Sequence, residues 1–195
     1  MSLSTRRRTH RTALAASLTT VLALPLLALT VPSATAHDDG RPDAADGSGA
    51  RPVPAPALRE MMRLKGRLAR YRSPAAAVAD GYLPSAECNA SPTGGMGHHY
   101  VNPSLMGPVD PERPPILVYV PGTSGLTLGA VEWFVPDADQ DPATDGDRPD
   151  LLGVPFDGPM PGHEPGMPVH YDLHAWLFRH NPDGLLAAFN PTVRC

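Results

Sequence analysis

The sequence is short of positive charge. Its 195 residues hold 16 Lys and Arg against 20 Asp and Glu, a formal net charge of −4. Arg6, Arg7, Arg8 and Arg11 all precede residue 37 and no acidic residue does, so the chain beyond residue 36 stands at −8. A surface of that sign repels phosphate backbones, which argues against nucleic acid as a partner and is compatible with cations. Phosphate-cradling motifs are missing too. Gly94-Gly95-Met96-Gly97 fits neither G-x-G-x-x-G nor a Walker loop with a following helix. Ser124 lacks the G-x-S-x-G setting of a hydrolase nucleophile. Asp137, Asp139 and Asp141 have the spacing of a calcium loop, but Pro142 stands where the EF-hand needs glycine and Arg148 where it needs glutamate. A solvated acidic loop is the expectation for 136–150.

Cysteine is scarce: only Cys88 and Cys195 are present. In an exported chain an even pair is expected to oxidise. A Cys88–Cys195 disulfide would close a loop of about 108 residues, stabilising by roughly 4–5 kcal/mol on chain-entropy grounds. Export itself is read from residues 1–36. The four arginines form a basic start, Ala13 to Val31 an apolar core, and Ala34-Thr35-Ala36 a small-residue cleavage site. Both the general secretory and the twin-arginine route stay open. A secreted protein with no stable membrane span after cleavage is expected. Residues 37–56, rich in Asp, Gly, Pro and Ala, read as a disordered tether. Residues 57–195 are long enough for a single domain with its own core.

Within that domain Leu58, Met61, Leu64, Leu68 and Tyr71 recur at helical spacing, and Arg59, Arg63, Arg67 and Arg70 take the other face. Ser73-Pro74 suggests a cap and first turn of a second, short helix closed by Gly81. Ile116 to Val120 and Leu126 to Val135 read as strands joined by a turn. Leu151 to Phe156 reads as a short strand, 158–168 as an irregular loop and Leu185 to Phe189 as a short last element. The fold class expected is α+β: two N-terminal helices on a curved, mostly antiparallel sheet of four to six short strands with long Pro/Gly loops.

What the chain does have is imidazole in a dense apolar setting. Val169 to His180 reads V-H-Y-D-L-H-A-W-L-F-R-H, bounded by proline-rich loops. As a strand it places His170, Asp172 and His174 on one face. His170 and His174 would then lie about 13 Å apart, too far to share an ion, whereas neighbours two apart can converge. As a helix, His170 and His174 would sit one turn apart. Tyr171 and the flanking prolines favour the strand. Glu132 shares a strand face with Leu128, Ala130 and Phe134, and a carboxylate in such a row needs a donor or a cation. His98 and His99 point in different directions, so one at most faces a common site. The expected site is therefore a metal centre for zinc or copper, drawn from His98, His99, Glu132, His170, Asp172 and His174. Three Met-x-x-His matches, Met96/His99, Met160/His163 and Met167/His170, suit copper. Two alternatives remain. One is a metal-free module binding a small apolar ligand against Trp133, Trp176 and Phe178. The other is an envelope protein whose histidines are structural.

The segments A-D-G-Y (79–82), G-G-M-G-H-H-Y-V-N-P (94–103), V-E-W (131–133), G-V-P-F-D-G-P-M-P-G-H (153–163), H-Y-D-L-H-A-W (170–176) and the terminal Cys195 carry a resemblance. The run from Arg70 to Cys195 resembles a family of exported bacterial proteins that share them. No activity attaches to that family, so the resemblance implies one domain and export, and no reaction.

Overall fold

The computed structural model describes residues 51–195, so the expected leader and most of the tether lie outside the described residues. Six strands form the main sheet: β1 (Leu83–Ser91), β2 (Gly94–Val101), β3 (Ile116–Gly122), β4 (Gly125–Pro136), β7 (Asp157–Met160) and β8 (His170–Ala175). Their order across the sheet is β1-β2-β3-β4-β8-β7, and every neighbouring pair is antiparallel. The two-residue strands β5 (Asp150–Leu151) and β6 (Val154–Pro155) make a separate small ladder.

One main helix accompanies the sheet. Helix α1 (Ala55–Leu68) runs on through a 3-10 turn to Arg72. The segment α2 (Pro74–Ala79) adds only six residues, so the expected pair of helices is in fact one helix and a short coda. Pro74 begins α2 and Gly81 leaves it at a positive φ of 91°, but the Ser73 side chain makes no capping bond. Met61, Leu64, Leu68 and Tyr71 are buried as the helical spacing requires, while Leu58 is left 41% exposed and Ala57 takes its place inside. On the outer face Glu60 bridges Arg63 and Arg67, and Arg70 pairs with Asp80. Arg51 and Val53, read as tether, touch the body: Arg51 pairs with Asp157 at 3.0 Å and Val53 packs on the core.

Strand alternation splits the sheet into two faces. Leu117, Tyr119, Val131, Trp133, Tyr171 and Leu173 form one core with Ala57, Met61, Leu64 and Leu68 of α1. Ile116, Val118, Val120 and Ala130 form a smaller core on the opposite face with Trp176 and Val193. Trp133 and Trp176 therefore belong to different cores, which removes the apolar pocket expected to use both.

The parity of β4 changes at one residue. Val118 pairs with Ala130 but Tyr119 with Leu128, so Gly129 is the extra residue of a β-bulge. Leu128 then falls in the helix-side core while Ala130, Glu132 and Phe134 face the other way. The expectation that Leu128 shares a face with Glu132 fails for this reason.

Residues 83–91 and 94–101, for which the sequence suggested no strand, are β1 and β2. The glycines there permit close approach rather than looping. A Cβ on Gly97, whose φ is 108°, would meet the Tyr119 carbonyl at 2.6 Å. One on Gly94 would meet Asn190 O at 2.4 Å. The chain after β8 has no regular element over 185–189; it turns back so that Asn190 bridges to Gly95 and Cys195 bonds Cys88. The first residues of the expected 158–168 loop form edge strand β7 instead. The acidic segment 136–150 is an internally bonded loop: Asp139 accepts from Asp141 N, Asp141 from Ala143 N, and Asp147 from Ala138 N and the Tyr171 hydroxyl. Among the described residues no helix is long and apolar enough to cross a membrane.

Candidate metal centre

The face away from α1 carries the polar residues that the main sheet buries deepest. Residues 170–175 are a strand with all six residues buried, so His170, Asp172 and His174 do share a face, opposite Pro136, Phe134 and Glu132 respectively. Directly across from Glu132 on its other side is Ile116 of β3, and His99 of β2 lies across from Val118. His99 and Glu132 are two strands apart, roughly 10 Å at the backbone. Their side chains meet by reaching over β3, with Ile116 and Val118 as the floor beneath them.

The meeting is close. Glu132 Oε2 lies 3.0 Å from His99 Nε2 and 3.3 Å from His174 Nε2. Each of the three residues offers a ligand atom, all within 4.8 Å of one another, and this buried group could hold a metal ion. In a tetrahedral zinc site, ligand bonds of 2.0–2.2 Å hold donor atoms about 3.3–3.6 Å apart. The Glu132–His174 separation is of that size and the Glu132–His99 separation is slightly shorter. Glu132 Oε2 and His174 Nε2 are buried and have no hydrogen-bond partner in proper geometry. A plain hydrogen-bonded network would satisfy those atoms. Lone pairs that converge without a well-aligned proton between them fit a cation instead.

Behind His174 stands Asp172, its Oδ1 3.7 Å from His174 Nδ1. Metal-bound histidines commonly turn their second nitrogen toward a carboxylate in this manner. The electrostatics follow from burial and pairing. Burial alone would lower the His174 pKa, but Glu132 and Asp172 outweigh it and raise it well above the usual imidazole value. Burial would likewise push Glu132 up, yet His174 and then His99 hold it far below the ordinary carboxylate range.

A cavity of about 70 Å³ opens beside the group, lined also by Asn89 and Met96 of the first two strands and by Phe134. It has space for a few waters and not for a drug-sized molecule. His98 is not among these residues: its neighbour His99 faces in, and His98 sits across from Cys88 with its side chain on the other side of β2. His170 lies on the correct face but four residues along β8 from His174, outside the three-residue group. Met96 belongs to the Met96/His99 match singled out in the sequence, whereas Asn89 was not foreseen: alternation along 83–91 is masked by Pro84 and by two register shifts.

No protein-family model, curated protein or solved structure matches this chain.

Proposed function

We propose that this is a secreted metal-binding protein that holds one zinc or copper ion through His99, Glu132 and His174, with Asp172 orienting His174. The observation that carries the proposal is the convergence of three buried donors from three strands at 3.0 and 3.3 Å, two of them without hydrogen-bond partners. Two histidines and a glutamate are the protein ligands of several catalytic zinc sites, which keep a further position for water or substrate. The adjacent cavity supplies room at that position, which supports the finer reading of a metalloenzyme. The Cys88–Cys195 disulfide and the leader-like first 36 residues support export, and the likeness of residues 70–195 to exported bacterial proteins belongs to the same reading.

Elemental analysis of untagged protein, dialysed after loading with zinc or copper(II), tests it. One equivalent of metal in the native chain, reduced to background by His174→Ala and by Glu132→Gln, is expected. A native chain that retains no metal, or variants that retain as much as the native chain, would overturn the proposal.

A further inference from the structure

The same cavity has a second end with its own donors. His170 opens β8 and is fully buried. Its Nδ1 is 3.0 Å from the Pro168 carbonyl, an acceptor, so Nδ1 carries the proton and donates. In the neutral ring Nε2 is then the lone-pair nitrogen, and it is buried with no partner. Phe134 stacks on the ring at 4.6 Å, which keeps water from that side. The exposed His163 brings its ring to 5.4 Å from that of His170. Two imidazoles bound through nitrogen to one ion at a tetrahedral angle have ring centres about 5 Å apart.

The loop between them carries a thioether residue that lines the same cavity. Met167 lines this end of the cavity together with His163. Met167 N donates to Glu164 O at 3.0 Å, closing a turn. Gly162 lies so near the other limb that a Cβ there would sit 2.1 Å from Met167 O, so only glycine permits the pinch. The pinch brings the chain at 162–163 against residue 167, and His163, Met167 and His170 all line the one cavity. The ligand types differ from those of the first centre. A thioether with two imidazoles is a soft set that suits copper(I), whereas carboxylate with imidazole suits zinc. His170 and His174 are about 13 Å apart along one strand, so the two sets share no ligand.

We propose that His163, His170 and Met167 form a second metal site, selective for copper(I). It stands on residues separate from His99, Glu132 and His174 and does not require that centre to bind metal. The test is an anaerobic copper(I) titration of the whole protein against a chromophoric copper(I) chelator, after incubation with zinc. X-ray absorption on the loaded sample accompanies it. One copper(I) equivalent with a sulfur scatterer is expected. His163→Ala and Met167→Leu, at an exposed and a half-buried position, should each weaken copper(I) binding at least about tenfold while leaving zinc content unchanged. Copper(I) affinity unchanged in both variants, or a copper shell without sulfur, would overturn the site. The same titration on His174→Ala separates the two proposals: copper(I) binding retained there, whatever becomes of zinc, supports the second site, and copper(I) binding lost there overturns it.

Discussion

Asp172 touches no proposed ligand atom of the ion, yet its place behind His174 gives it a measurable role. Asp172→Asn keeps the shape and removes the charge facing His174 Nδ1. Metal affinity should fall about 10–100-fold with the fold intact, measured by competition with a zinc indicator and by circular dichroism. At a different residue, burial first and then neighbouring Tyr71 push the Tyr82 hydroxyl up to about 12, while the unfolded chain ionises near 10. A raised folded pKa means this contribution is complete below pH 10 and is lost as pH climbs toward 12. The loss should reach at most about 2–3 kcal/mol, and Tyr82→Phe should flatten that alkaline limb in urea melts at pH 9 to 12. Residue identity was the most legible layer of the site. Glu132 stood out because a carboxylate in an apolar strand demands a partner, and the partners are two imidazoles. Which of His98 and His99 would face it depended on the phase of β2, and that phase could not be read through three glycines.

At the scale of elements, the β3–β4 hairpin and the β8 strand were legible because β-branched and aromatic residues cluster there between turn signals. Strands β1 and β2 were not. Their glycines look like loop formers, and they are needed because the backbone of the returning C-terminal segment and the Tyr119 carbonyl press against them. Gly97→Ala should therefore destabilise by more than about 1 kcal/mol, seen as a lower urea midpoint with unchanged slope, since it adds both positive-φ strain and a backbone clash. The bulge at Gly129 was hidden as well, for no local signal distinguishes an inserted strand residue from a regular one. Its effect is on Leu128, which leaves the face of Glu132 for the opposite core.

The molecule as a whole is tied by one covalent link between Cys88 and Cys195, 107 residues apart. Reduction, or the double substitution Cys88→Ala/Cys195→Ala, should cost about 4–5 kcal/mol of unfolding free energy, checked by denaturant titration with and without reductant. Sheet order bears on how the chain can assemble. β8 is the last strand in sequence but not an edge of the sheet; it is inserted between β4 and β7. Among the described residues β7 pairs with no other strand, so its place in the sheet exists only once β8 has docked on β4. His174 arrives with that same docking, some 40 residues after Glu132 has been laid down. The histidine–carboxylate cluster is accordingly closed only when β8 docks on β4, and a sheet without β8 lacks it.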